Sequence, residues 1–140
     1  MIAQLLEFSG NHILLVGALF IVLGMLAVNL GIGGKGSIDP LQATQMINHE
    51  DAVVVDVRSM ADFKNGHIVA SRNVPLNGFG NQIGSLEKHK GQPIIVGCRS
   101  GNTSLAACRQ LRKAGFEKVF NLKGGIMAWQ AANLPTTRKG

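Results

Sequence analysis

A cysteine at the end of an apolar segment is the residue of this sequence best placed for chemistry. The stretch IIVGCRSGNTSLAACRQL, residues 94–111, passes from an apolar run through Cys98 into a short polar loop and then a helical pattern. Successive backbone N–H groups in such a loop can converge on one point, and the following helix N-terminus adds partial positive charge. Gly101 permits backbone angles that other residues avoid, and Arg99 adds a full charge. A thiolate at position 98, or an anionic sulfur bound to it, would be stabilised there.

The pattern predicts that Cys98 is a nucleophile that attacks an anionic donor and then carries negative charge itself. The alternative, a small buried residue that ends a strand, explains most isolated cysteines but not the glycine, arginine and polar residues that follow this one. Cys108 is interpreted in the opposite way. It shares the apolar side of a predicted helix with Leu105 and Leu111, which favours core packing, with a disulfide to Cys98 as the alternative.

The remaining composition argues against several other classes of protein. Two cysteines are too few for a disulfide framework, and their spacing of ten residues fits neither a redox pair nor a zinc site. The four histidines show no metal-ligand spacing, so we predict no metal centre, and no cofactor is indicated. The formal net charge of +6 is compatible with nucleic acid, an anionic membrane or small anions. Scarce aromatics and the lack of a nucleic-acid-binding motif favour a solvated basic surface and no nucleic acid partner.

The elements that position Cys98 are predicted to alternate between strands and helices. Three short apolar runs that read as buried strands lie at 52–57, 93–97 and 118–122, with amphipathic or short polar helices between them. This alternation predicts an α/β fold with a small, mostly parallel sheet covered by helices. Ligands of such sheets bind at the carboxyl ends of the strands. Cys98 and the segment Asp56–Arg58 both lie at predicted ends of this kind.

An apolar segment precedes this domain and predicts one transmembrane helix. Residues 13–32, ILLVGALFIVLGMLAVNLGI, match the roughly 20 residues that an α-helix needs to cross a bilayer. A signal peptide and a buried soluble helix are the alternatives, but the flank of residues 1–12 lacks Lys and Arg, and no Ala-x-Ala site follows. Lys35 after the segment places the domain in the cytoplasm by the positive-inside rule. We therefore expect a single-pass protein of the inner (cytoplasmic) membrane.

The sequence divides accordingly into five parts. A flexible linker is predicted for the glycine-rich residues 33–37. The full division is a short flank, a transmembrane helix, that linker, a catalytic domain and a tail, at residues 1–12, 13–32, 33–37, 38–137 and 138–140.

Two long stretches of the domain resemble the rhodanese homology domain. VVVDVRSMADFKNGHIVASRNVPL resembles the family's pattern of Asp-x-Arg, Phe, Gly-His-Ile and Asn-Ile-Pro. IIVGCRSGNTSLAACRQLRKAGFEKVFNLKGGIMAW resembles its active-site loop, the following helix, the Gly-Phe turn and the terminal Gly-Gly-x-x-Ala-Trp. The resemblance covers residues 38–137, and with the apolar segment the chain is similar to single-domain, membrane-tethered bacterial rhodanese-like sulfurtransferases. Ser71 and Arg72 depart from it, because the family often has small apolar residues there.

The resemblance implies a sulfurtransferase. Cys98 would take a sulfane sulfur from a small anionic donor such as thiosulfate, hold it as a persulfide, and pass it to cyanide or a thiol. The loop that cradles this sulfur would consist of Arg99, Ser100, Gly101, Asn102 and Thr103. Asp56 would support the site, and Arg58 would form an ion pair or contact the substrate. Gly66-His67-Ile68 is interpreted as a structural turn and Trp129 as core.

Two other functions compete with sulfur transfer. A phosphatase or arsenate reductase of the same architecture needs a longer loop and usually an arginine six positions after the cysteine, where this sequence has Ser104. A membrane-tethered binding or scaffold module without catalysis is the second alternative. Such modules tend to have lost the cysteine, but a scaffold role with a membrane protein partner could coexist with catalysis.

Overall fold

The protein consists of two compact units. The structure, a computed structural model, describes residues 1–34 and 36–139. The chain divides into one unit up to residue 35 and a second unit from Gly36 onward. Lys35, which carried the predicted orientation, lies outside the described residues.

The N-terminal unit contains two helices, α1 at Ile2–Asn11 and α2 at Ile13–Gly34. Within the described part of the chain, no single helix has both the length and the apolarity of a membrane span. Ile2–Phe8 and Ile13–Ala27 satisfy both criteria together, across a bend of 93°. The single span predicted for residues 13–32 is thus not found as one helix that meets the criteria.

The predicted linker is shorter than residues 33–37. Residues 33 and 34 are the last of α2, and Ser37 already belongs to the first strand. Ser37 is held there because this strand, Ser37–Ile38, lies parallel to a strand that contains Asn121 and Leu122. Of the predicted linker, Gly36 is the described residue outside both elements.

The second unit confirms the predicted α/β fold with a mostly parallel sheet flanked by helices. The strands are β1 Ser37–Ile38, β2 Val53–Asp56, β3 His67–Ile68, β4 Arg72–Asn73, β5 Ile94–Gly97, β6 Val119–Leu122 and β7 Thr136–Thr137. Five of them form a parallel sheet in the order β1-β6-β5-β2-β4, and β3 pairs antiparallel with β7. The helices are α3 Pro40–Glu50, α4 Met60–Lys64, α5 Phe79–Gln82, α6 Ser104–Lys113 and α7 Gly125–Ala131, with a 3₁₀ helix at Ile83–His89.

The sheet separates two hydrophobic clusters, because successive side chains of a strand point to opposite faces. Ile94 and Val96 of β5 lie in one cluster with Cys108 and Leu111 of α6. Ile95, between them in sequence, lies in the other cluster with α7. Burial on both faces explains why the strands read as continuous β-branched runs. The central position of β5 places its carboxyl end between those of β2 and β6.

Local signals account for the ends of the helices before the site. Asp39 caps α3, since its carboxylate accepts a 2.8 Å hydrogen bond from the backbone amide of Gln42 and Pro40 is the first helical residue. The polar segment before Gly91 forms two short helices, α5 and the 3₁₀ helix. The prediction that Leu105 faces inward is wrong, because its side chain is 44% exposed. Cys108 and Leu111 are buried as predicted.

Candidate active site

Cys98 follows the central strand directly and opens a loop that ends where α6 begins. The side chain is 3% exposed, and its sulfur lies on the inner side of the loop. Arg99, Ser100, Asn102 and Thr103 are exposed, while Gly101 is buried. The predicted loop residues therefore fall into two groups. Some contribute backbone groups to the interior of the loop, and others present side chains to solvent.

The Gly101 amide points at the sulfur. Its N–H donates a 3.0 Å hydrogen bond to Sγ of Cys98, in a conformation with a φ of +90°. A Cβ at this position would lie 3.0 Å from the Gly124 nitrogen and 3.0 Å from the Leu122 carbonyl oxygen. Both the left-handed angle and the lack of space require glycine here. This is the inward-facing amide that the sequence pattern predicted.

Two buried polar side chains that the sequence analysis did not select complete the surroundings of the sulfur. Ser104 Oγ lies 3.4 Å from Sγ of Cys98, and it also donates a short hydrogen bond to Oδ1 of Asn121. Nδ2 of Asn121 in turn donates to the Gly101 carbonyl oxygen at 2.9 Å. A signal for Asn121 was present in the sequence, because an amide inside an otherwise apolar buried strand needs partners.

These donors lower the pKa of the Cys98 thiol. Burial acts in the opposite direction and raises it, but the Ser104 side chain and the backbone amides of Ser104, Gly101 and Ser100 together outweigh the burial. Cys108 has no such surroundings. Burial raises the pKa of the Cys108 thiol to about 11, so it stays protonated and packs as core. Both cysteines are free, and only Cys98 has the electrostatics of a reactive thiol.

Asp56 and Arg58 form a buried ion pair beside this loop. Asp56 is 1% exposed and accepts 3.0 Å and 2.7 Å hydrogen bonds from Nε and a terminal nitrogen of Arg58. The same terminal nitrogen donates to the Gly66 carbonyl oxygen at 2.7 Å, and the Asn73 side chain donates to the Asp56 and Arg58 carbonyl oxygens. Asp56 therefore supports the architecture at the end of β2, and most of the Arg58 guanidinium is engaged within the protein.

A pocket of about 420 Å³ lies next to the loop. Its lining includes both Arg58 and Arg99 from the predicted site, together with Asp62, Met127 and Gln130. Arg58 thus forms an ion pair, one of the two roles left open by the sequence, and it also lines this pocket. Its contact with substrate stays a prediction. Arg99 forms no ion pair within the described part of the chain, so its positive charge is available in the pocket wall, which also contains the carboxylate of Asp62.

The first turn of α7 holds the beginning of the loop. The Ile126 amide donates to the Cys98 carbonyl oxygen at 2.8 Å, and the Met127 amide donates to the Arg99 carbonyl oxygen at 3.1 Å. Amides in the first turn of a helix have no partner within the helix, so the two loop carbonyls satisfy them. The close approach depends on Gly125, which has a φ of +59° and no room for a Cβ. The Gly-Gly of the sequence motif is therefore part of the site.

The other motif residues lie in structural positions. The His67 ring is buried, stacks on Phe63 at a centroid distance of 3.7 Å, and meets the Phe63 and Lys139 carbonyl oxygens with its two nitrogens. Trp129 is buried, and its indole N–H donates to the Pro135 carbonyl oxygen. Trp129 is thus core as predicted, whereas the turn predicted at Gly66-His67-Ile68 is wrong, because His67 and Ile68 form strand β3 and pair with β7.

Comparisons with known proteins agree with this geometry. A family model, the Rhodanese-like domain, matches residues 39–132. The uncharacterized protein YibN of Escherichia coli strain K12 is 39% identical over 144 aligned positions, covering 96% of this chain and 97% of YibN. The thiosulfate sulfurtransferase GlpE of Glaesserella parasuis is 34% identical, covering 70% of this chain and 89% of GlpE.

Solved structures place the same fold on the second unit. A rhodanese-related protein from Thermoplasma volcanium superposes with a TM-score of 0.67 at 27% identity, and the match covers 74% of this chain and 99% of the other. The family match, the sheet order and a cysteine cradled at the end of the central strand lead to one conclusion. The chain belongs to the rhodanese-like domain family.

Proposed function

We propose that this protein is a sulfurtransferase that carries a sulfane sulfur as a persulfide on Cys98. The Cys98 thiolate attacks the outer sulfur of a donor such as thiosulfate. A bond forms between the two sulfurs, the donor S–S bond breaks, and its electron pair leaves on sulfite. A thiophile, cyanide or a thiol, then takes the outer sulfur and returns Cys98 as thiolate. Cyanide becomes thiocyanate, so atoms and charge balance without an external oxidant.

The contact of the Gly101 amide with Sγ of Cys98 carries the proposal. A backbone donor fixed at 3.0 Å favours an anionic sulfur over a neutral thiol, and the pKa of Cys98 is lowered despite burial. Arg99 in the adjoining pocket wall forms no ion pair within the described residues, so its guanidinium can meet a small anion. Relatives that bear the name thiosulfate sulfurtransferase, among them GlpE of Glaesserella parasuis, support the same chemistry.

Mass spectrometry after treatment with thiosulfate tests the proposal directly. The peptide that contains Cys98 should gain one sulfur atom, and later addition of cyanide should remove it and yield thiocyanate. Cys98→Ser should abolish transfer and leave thermal unfolding close to that of the unaltered protein. Undiminished transfer by a folded Cys98→Ser variant would refute the proposal.

Phosphate chemistry is disfavoured by the side chain at position 104. Ser104 is buried and supplies no positive charge where phosphatases of this architecture need an arginine. The same preparation should therefore leave an aryl phosphate intact while it transfers sulfur from thiosulfate to cyanide. Hydrolysis of the phosphate without sulfur transfer would reverse the assignment.

We further propose that the N-terminal apolar segment attaches the domain to the inner membrane, with the domain in the cytoplasm. Leu14, Leu19, Phe20 and Ile21 are all exposed in the structure, and water would disfavour such a surface. The alignment with YibN covers 96% of this chain, which leaves out too few residues to omit the segment. After alkaline carbonate extraction, the protein should remain with the membrane fraction. In intact spheroplasts, externally added protease should not cleave the domain.

We also expect membrane attachment to favour binding of the transferase to a membrane protein partner. Attachment confines the domain to one surface, which raises its effective concentration for partners in the same membrane. Crosslinking of the full chain should recover a membrane protein that a variant lacking residues 1–32 does not. Identical crosslinked proteins with and without the segment would argue against a partner role and leave the proposed catalysis untouched.

A further inference from the structure

Four groups around the reactive sulfur form a closed ring of hydrogen bonds. The Gly101 N–H donates to Sγ of Cys98, and Nδ2 of Asn121 donates to the Gly101 carbonyl oxygen. Ser104 Oγ donates to Oδ1 of Asn121, and Sγ of Cys98 lies within reach of Ser104 Oγ. All four residues are buried. Because all four residues are buried, their polar groups need hydrogen-bond partners, and here they bond to one another.

Two acceptors in the ring, Oδ1 of Asn121 and Sγ of Cys98, compete for the single proton of the Ser104 hydroxyl. A serine hydroxyl carries a single hydrogen. While Cys98 is a neutral thiol, its S–H can donate to Ser104, whose hydroxyl proton is then directed to Asn121. Once the sulfur is a thiolate it can donate nothing and becomes the strongest acceptor present. The Asn121 amide cannot replace the serine as donor to the sulfur, because its Nδ2 is already directed to the Gly101 carbonyl oxygen.

We infer that the Ser104 hydroxyl turns from Oδ1 of Asn121 to Sγ of Cys98 whenever that sulfur carries charge. Ser104 is then a catalytic residue, since it touches the reacting atom. Asn121 is a positioning residue that holds the hydroxyl when the sulfur is neutral and anchors the Gly101 peptide in both states. The rotation moves one hydrogen about the Cβ–Oγ bond and needs no displacement of the backbone.

The role of the Ser104 hydroxyl in turnover rests on the proposed sulfur transfer. In that reaction the hydroxyl acts in both halves. In the first half, the thiol proton leaves for solvent and the Ser104 hydrogen bond stabilises the nucleophile that forms the new S–S bond. In the second half, the thiophile removes the outer sulfur, and the electron pair of the broken bond stays on Sγ of Cys98. The same hydroxyl stabilises this leaving thiolate.

Alkylation of Cys98 by iodoacetamide as a function of pH tests the inference without any sulfur donor. The full-length Cys108→Ala protein provides a background with one thiol. In this background Ser104→Ala should lower the alkylation rate near neutral pH about tenfold, the usual effect of losing one hydrogen bond to a charged group. The rate at alkaline pH should recover, because hydroxide then forms the thiolate. Ser104→Thr keeps the hydroxyl and should restore the rate at neutral pH.

A matched control and a second substitution keep the test decisive. Ser85→Ala removes an exposed hydroxyl that bonds to the Gln82 carbonyl oxygen, and it should not change the pH profile. Asn121→Asp offers the hydroxyl a stronger acceptor beside the sulfur, so its profile should shift to higher pH even if Ser104→Ala does not fold. An unshifted profile in either folded variant would overturn the inference. A shifted alkylation profile in both variants, together with no thiosulfate-dependent transfer by the unaltered protein, would uphold the inference and count against the proposed function.

Discussion

Gly125→Ala should loosen the reactive loop without touching any group that contacts substrate. The added Cβ would clash with the Cys98 carbonyl oxygen and lie 2.6 Å from the carbonyl carbon and oxygen of Arg99. These atoms are backbone, so the clash cannot be relieved by a side-chain rotation. The first turn of α7 must move away from the loop, and the Ile126 and Met127 amides lose their acceptors at 2.8 Å and 3.1 Å.

The magnitude follows from two contributions. A φ of +59° costs an alanine about 1–2 kcal/mol, and two lost backbone hydrogen bonds cost about 1–3 kcal/mol together. The free energy of unfolding should therefore fall by about 2–5 kcal/mol, which lowers the urea midpoint by about 1–2 M. A displacement of the cysteine by about 1 Å should reduce sulfur transfer on the order of 100-fold.

Urea unfolding and the thiosulfate:cyanide assay measure the two effects separately, and Gly84→Ala is the matched control. A Cβ at Gly84 would meet no atom within 4 Å, so this variant should change stability by no more than about 1 kcal/mol and leave transfer intact. Equal unfolding midpoints and equal transfer rates for the two alanine variants would refute the reasoning that α7 holds the loop in place.

Three further predictions concern the two cysteines and the ion pair. Cys108→Ala should retain transfer and lose about 1 kcal/mol of stability in urea unfolding; loss of transfer in the folded variant would contradict its role as core. Because the pKa of Cys98 is lowered, the transfer rate should stay high as the pH falls below the pKa of an ordinary thiol. The rate should decline only when the pH falls through the lowered pKa of Cys98. The stability that the folded thiolate adds should be lost over the same interval, and a rate that follows an ordinary thiol would argue against the cradle. Arg58→Ala should destabilise the protein by about 3–5 kcal/mol, since it leaves Asp56 buried and unpaired; adding Asp56→Asn should recover part of the loss, and no recovery would mean that pairing is not the cause.

The strand and loop that position Cys98 were predictable because their signals are local. A β-branched run ending at a cysteine, with glycine three residues later, encodes a buried strand followed by a tight turn. Parallel pairing then places Asp56 beside Gly97, at the same edge of the sheet, without further information. The fold class followed for the same reason, because alternating strands and helices have few arrangements in a sheet of this size.

The contribution of Ser104 and Asn121 could not be derived from spacing alone. They lie 17 positions apart in sequence and meet only because β6 pairs with β5, where Val96 is opposite Asn121. Short pairs such as β3 with β7 were missed for a similar reason, since two residues carry too little periodicity to be read as a strand. Leu105 was misplaced because helical spacing alone does not define where the apolar stripe of α6 ends.

The side chain at position 104 also limits the kind of anion that the loop can hold. Its hydroxyl is wholly buried, lies within reach of the sulfur, and packs against the Asn121 amide, to which it donates in this structure. A longer cationic side chain would have to displace that amide, and with it the support of the Gly101 carbonyl oxygen. The loop could then no longer keep its amide 3.0 Å from the sulfur. A compact, uncharged donor beside a deeply set thiolate suits the addition of one sulfur atom, whereas a phosphoryl group needs positive charge at several oxygens in its transition state.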